Sequence, residues 1–154
     1  MQHLISHLPI TVLFDYTAAF PSVSHQWMRA ILHRIRIPDG LLNAFNSLYR
    51  GNETYTHSGG RLQWISNIRS GVLQGCPLSG TLFVLAIDPL LAQFEHYTHN
   101  PQLGAVFVCA DDIGAAIKHL KHLQLLFHMF DAYRQVSGLT LNPRKCLQYW
   151  WGLL

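Results

Sequence analysis

Apolar and polar positions along this chain alternate between two periods. Ile10 to Tyr16 is a short, nearly continuous apolar run rich in β-branched and aromatic residues, which predicts a buried strand, and Pro21-Ser22 breaks it. Ser24 stands where a helix cap belongs, ahead of Trp27, Ile31 and Ile35 at helical spacing, with Arg29, Arg34 and Arg36 on the wetter side. Pro38-Asp39-Gly40 reads as a turn. Leu41, Leu42, Phe45, Leu48 and Tyr49 then form the apolar face of a second helix that Gly51 ends.

The period changes again after Gly51. Glu53 to His57 and Arg61 to Ile68 alternate, and Ser58-Gly59-Gly60 between them signals a hairpin. Gly71 to Pro77 is a loop. From Pro77 to about Tyr97 the chain is apolar on most sides, which predicts a buried helix kinked at Pro89. Val106 to Ala110 and Ile113 to Ile117 predict a second hairpin. Leu120, Leu123, Phe127, Phe130 and Tyr133 stripe a last amphipathic helix ended by Gly138, and Cys146 to Leu154 is a candidate final strand. Strands and helices are interspersed and hairpins dominate, so the fold class is α+β with an antiparallel sheet packed against helices.

Composition narrows the class. The chain has 154 residues, 49% hydrophobic and 12% charged, enough to build a core and too apolar for disorder. So little charge suggests a surface that expects a partner, or a piece of something larger. A formal charge of +3 is a weak nucleic-acid signal by itself. Three cysteines, Cys76, Cys109 and Cys146, lie far apart with no C-x-x-C, which points to reduced thiols and not to a zinc knuckle. The pairs His3/His7 and His119/His122 have helical spacing but no Cys or acid beside them, and read as solvated histidines. Met1 to Leu8 lacks the features of a signal peptide, and the run Leu82 to Ile87 is too short to span a bilayer, so no membrane association is expected.

The chemistry is concentrated in acids. Asp111-Asp112 stands inside an apolar stretch, Val106 to Ile117, and Asp15 ends the apolar run Ile10 to Phe14. A carboxylate in such company is costly to desolvate unless something positive accompanies it. On the residues alone, the doublet is a hairpin turn, a divalent-cation site, or both, and Asp15 is a turn cap or a metal ligand.

Four blocks in order resemble the palm of reverse transcriptases, especially the non-LTR retrotransposon type. They are Phe14-Asp-Tyr-Thr-Ala-Ala-Phe-Pro-Ser22, Ser70-Gly-Val-Leu-Gln-Gly-Cys-Pro-Leu-Ser79 with Leu82-Phe83, Ala110-Asp-Asp112, and Gly138-Leu-Thr-Leu-Asn-Pro-Arg-Lys-Cys146. Together they span nearly the whole chain, and the Gln-Gly-x-Pro-Leu-Ser segment is the most specific. The resemblance implies an RNA-directed DNA polymerase that adds dNTPs to a DNA primer on an RNA template, using two magnesium ions, with manganese as a substitute. It implies that Asp15 and Asp111 bridge the metals and that Asp112 is a neighbouring acid. The Tyr16 carbonyl would be a further ligand. It also implies that Phe20 excludes a 2′-hydroxyl, that Gln74 and Gly75 contact the incoming nucleotide and template base, and that Lys145 donates a proton to pyrophosphate. A nuclear or cytoplasmic location follows from the same resemblance.

The chain departs from the family pattern in places. Cys109 stands where an aromatic usually opens the acid doublet, Pro21 where many relatives carry a second acid, and Gly80 where a Pro is common. Only fourteen residues precede Asp15 and few follow Cys146, so the expectation is a palm-centred partial domain over 1–154, a retroelement fragment with fingers and thumb largely missing and impaired activity on its own. The residues leave three functions open: a polymerase palm, a catalytically silent retroelement remnant that still binds RNA or protein, and a small metal-dependent phosphohydrolase or nuclease. Phe20 and the Gln-Gly block argue against the last.

Overall fold

The computed structural model of the chain describes residues 9–73, 75–100 and 104–150. His3/His7, Gln74 and the end of the proposed last strand lie outside these residues. Strand β1 (Ile10–Phe14) leads into a single-turn helix α1 (Ala19–Ser22), then α2 (His25–Arg34) and α3 (Asp39–Tyr49). The strands β2 (Glu53–Ser58) and β3 (Arg61–Asn67) follow, then the long helix α4 (Ser79–Thr98). The hairpin β4 (Gly104–Cys109) and β5 (Asp112–Ile117), helix α5 (Lys121–Ser137) and β6 (Leu147–Trp150) complete the order. Four strands make one antiparallel sheet in the order β4-β5-β1-β6, while β2 and β3 form a separate ribbon. The α+β expectation holds.

The alternation of side chains explains how the sheet is used. Ile10, Val12 and Phe14 of β1 and Ile113, Ala115 and Ile117 of β5 are buried on one face. Phe14 meets Phe130 of α5 at 4.8 Å and Phe127 edge-on at 5.8 Å, and Phe94 of α4 packs on Phe130 at 5.3 Å. The opposite face is open: Leu13, Phe107, Leu147 and Tyr149 are all exposed there, Phe107 to 67%.

Three helices are tied at one carbonyl. Pro89 lacks the N–H that would bond the Leu85 carbonyl and disturbs that turn of α4. One residue on, the Ala86 carbonyl accepts from Trp27 Nε1 at 3.0 Å and from the Tyr133 hydroxyl, joining α2, α4 and α5. Burial raises the Tyr133 pKa above the ordinary tyrosine value, so the hydroxyl stays a donor.

Several sequence expectations hold in detail. Ser24 caps α2 by accepting from the Trp27 N–H at 3.3 Å, and Gly138 ends α5 in the left-handed conformation at φ +82°. Gly59 and Gly60 both have positive φ, the requirement of a tight hairpin turn. Others need correction. Pro38-Asp39-Gly40 is no turn: Pro38 caps α3, its carbonyl accepts from Leu41 and Leu42, and Asp39 sits in the first helical turn, where the helix dipole favours an acid. Leu41 consequently faces solvent. In α5 the buried stripe runs Leu123, Leu126, Phe130 and Tyr133, and Phe127 is partly exposed at its edge. Helix α4 begins at Ser79, two residues later than Pro77, because Cys76 to Leu78 are held in a turn by a Ser79 N–H bond to the Cys76 carbonyl.

Candidate functional site

Strand register brings Asp15 and the Asp111-Asp112 hairpin to the same end of the sheet. The ladder between β1 and β5 ends at Phe14 and Ile113, and Asp15 and Asp112 each lie one residue beyond that pair. Asp112 in turn pairs with Cys109 of β4, and Ala110-Asp111 make the two-residue turn between them. Side chains alternate, so Asp15 shares the open face with Leu13, and Asp112 shares it with Gly114. Ala110 takes φ +54° in this turn, a conformation that L-residues adopt only under constraint.

Lys145 is the cation nearest to Asp15. Its Nζ lies 3.6 Å from Asp15 Oδ2, with the two side chains 68% and 39% exposed. Asn142 places it there. The Asn142 N–H donates to the Asp15 carbonyl at 2.7 Å, and the Asn142 carbonyl accepts from the Lys145 and Cys146 N–H groups. The Asn142 side chain also accepts from the Arg144 N–H at 3.3 Å. This hinge role is absent from the sequence reading, although Asn142-Pro143 is a turn-forming dipeptide that signals it.

Tyr16 contributes its backbone only. Its ring is buried against Phe130, and burial, with Tyr133 as the second cause, raises its hydroxyl pKa above the ordinary value. Thr17 N–H bonds the Thr140 carbonyl and the Asp15 carbonyl accepts from Asn142, so these flanking groups point toward 140–142. Carbonyls alternate along an extended chain, which turns the Tyr16 carbonyl to the opposite flank, the side of β5.

Phe20 stacks on the fully buried Phe83 of α4, centroids 4.4 Å apart and rings 17° from parallel. Its carbonyl accepts from Val72 N–H at 3.0 Å, and Gly71 N–H bonds the Val23 carbonyl at 2.8 Å. These bonds stitch the segment after Asp15 to the loop carrying Gly75, which is exposed with φ +83°. Gly71 has no room for a side chain: a Cβ would sit 2.9 Å from the Pro21 carbonyl oxygen, at φ +94°. Gly71→Ala is expected to lower stability by about 1–3 kcal/mol, the range for a residue forced into such a conformation, as read from urea unfolding.

The donor set fits a hard divalent cation. All candidate ligands are oxygens, and Asp15 Oδ2 is buried without a hydrogen-bond partner, its charge faced by the Lys145 ammonium at 3.6 Å. Among the described residues the His, Cys, Asp and Glu side chains do not gather into a ready group of three that could hold an ion. The backbone thus sets the acids at neighbouring positions, and the carboxylates do not yet close on one centre. The three cysteines are free, and none of the described helices is long and apolar enough to cross a membrane.

An antiparallel four-stranded sheet with helices on one face and acids at the β1 end and hairpin turn has the architecture of a polymerase palm. The model of the family "Reverse transcriptase (RNA-dependent DNA polymerase)" matches residues 3–150, and the chain belongs to that family. It is of the non-LTR retrotransposon type. It is 34% identical over 149 residues to the Pol polyprotein of the type-1 retrotransposable element R2 of Nasonia vitripennis, covering 92% of this chain and 14% of that one. The R2 polyprotein of Popillia japonica is 32% identical over 145 residues, covering 88% of this chain and 23% of that one. The chain therefore spans under a quarter of either relative. Among solved structures, telomerase from Candida tropicalis in complex with a telomeric RNA fragment superimposes with TM-score 0.77 at 10% identity, over 99% of this chain and 27% of that one. Apo telomerase from the same organism gives 0.74 at 11% identity, over 94% and 29%. Both likenesses concern the fold.

Proposed function

We propose that this chain is the catalytic palm of an RNA-directed DNA polymerase that extends a DNA primer with dNTPs on an RNA template. The observation that supports it most is that Asp15 and Asp112 lie next to the last β1–β5 pair, Phe14 with Ile113, beside the Asp111 turn. Two magnesium ions, or manganese, held by Asp15 and Asp111 with Asp112 and the Tyr16 carbonyl beside them, would activate the primer 3′-hydroxyl and neutralise charge on the triphosphate.

The remaining residues orient and select. Phe20, backed by Phe83, offers a ring edge beneath the sugar and leaves no space for a 2′-hydroxyl. Gln74, with both a donor and an acceptor, and Gly75, which allows close backbone approach, contact the incoming nucleotide and the template base. Lys145 holds its ammonium beside Asp15 and gives a proton to departing pyrophosphate. The exposed face of the sheet, with Phe107, Leu147 and Tyr149, supports the primer and template.

Extension of oligo(dT) on poly(rA) with magnesium or manganese tests this reading. The chain is expected to lengthen the primer and the Asp111→Asn variant to fail. Extension that survives the substitution contradicts the metal role, and primer degradation in its place points to a nuclease. In the same assay Phe20→Ala is expected to raise ribonucleotide incorporation relative to dNTP by at least about tenfold, since one lost steric contact of about 1.4 kcal/mol is a factor of ten. Unchanged selectivity assigns Phe20 to packing on Phe83 alone.

A further inference from the structure

Three arginines meet in a cavity that shares no residue with the acid site. It measures about 480 Å³ and lies between the start of α2, the end of α3 and the base of the β2–β3 ribbon, with Arg29, Arg50, Arg69, Gln26, Asn52 and Asn67 in its wall. Among the described residues, no Asp or Glu lines it. Arg29 is held in place by its Nε bond to Asn46 Oδ1 at 3.1 Å. The Arg50 and Arg69 side chains have no hydrogen bond or ion pair among the described residues. The first turn of α2 carries no acid, so its positive end adds to the same field. Like charges gathered this way repel unless an anion lies among them, and guanidinium forks match a phosphate best.

The ribbon that rises from this cavity supplies the second half of the surface. Asn52 and Asn67 line the cavity, and Asn67 pairs with Glu53 at the ribbon's first rung. Further out, Tyr55 pairs with Trp64 and His57 with Leu62, so both rings lie on one face. Tyr55 is 50% and Trp64 56% exposed. Flat exposed rings beside a phosphate-binding cavity suit splayed bases of a single strand, whose backbone and bases are then both satisfied. A duplex keeps its bases stacked and gains nothing from the rings, and an acidic peptide has no use for them.

We propose that the Arg29–Arg50–Arg69 cavity and the Tyr55–Trp64 face of the ribbon form a second binding surface, for single-stranded RNA, separate from the polymerase face. Fluorescence anisotropy of the full chain with a labelled oligouridylate tests it. Two double variants, Arg50→Gln/Arg69→Gln and Tyr55→Ala/Trp64→Ala, are compared with the parent chain, and thermal melts confirm that each is folded. Both doubles are expected to weaken binding about tenfold or more, the scale of one lost base stack or two lost phosphate contacts. The arginine double should also flatten the salt dependence by about 1.4 in the log–log slope, while the aromatic double leaves the slope alone. Parent-like affinity in either double, equal affinity for duplex RNA, or equal competition by polyglutamate overturns the proposal; the last assigns the cavity to an acidic protein segment.

Discussion

Asp15→Asn is expected to reduce primer extension on the order of a thousandfold while leaving the protein as stable as before or more so. The rate loss follows from the role of a metal-bridging carboxylate, whose removal forfeits several kcal/mol of charge stabilisation, with every 1.4 kcal/mol worth a factor of ten. The stability result follows from the structure. Asp15 Oδ2 is buried with no hydrogen-bond partner. A neutral amide of the same shape relieves the cost of desolvating a charge there, and the ion pair given up, with Lys145 more than half exposed at 3.6 Å, is worth little. Steady-state extension kinetics and urea unfolding on the same preparation check both halves. A site held against its own stability in this way is the usual signature of function.

Phe83→Ala is expected to cost about 3–5 kcal/mol, the range for a large aromatic removed from a closed core. Phe83 has no exposed surface, so the void has no solvent to fill it. That loss is a large part of the roughly 5–15 kcal/mol that holds a domain together. It also removes the ring under Phe20, and sugar discrimination should fall in any molecules that remain folded. Chemical unfolding with a midpoint shift at unchanged slope measures the first effect. Phe83→Leu, which refills most of the volume, should recover much of the stability and less of the discrimination.

Local structure was legible because its signals are local. A Gly-Gly pair with positive φ, a Ser at the head of α2 and a Gly at the foot of α5 each fix one turn of chain. The acid doublet also announced its hairpin, since a two-residue turn between apolar strands has few other places to put two carboxylates. What the chain order does not encode is which strands become neighbours. Asp15 and the acid doublet come to one end of the sheet only through the β4-β5-β1-β6 order, which a linear pattern cannot specify. Only the resemblance to reverse transcriptases pointed to that neighbourhood. Small errors had small physical causes. Asp39 favours a helix start as readily as a turn, and the one-residue shift from Phe127 to Leu126 reflects a stripe wide enough to bury either. The arginine cavity was invisible for another reason: charged residues carry no periodicity, and only tertiary packing says which of them meet.

Calorimetric titration of manganese into the parent chain, Asp15→Asn and Asp111→Asn tests the shared-cation site without depending on catalysis. The parent is expected to take up manganese, and both single substitutions, nearly a hundred residues apart in sequence, to abolish or weaken it at least tenfold. Manganese bound equally by all three proteins, or lost in only one variant, contradicts a common site between the end of β1 and the β4–β5 turn.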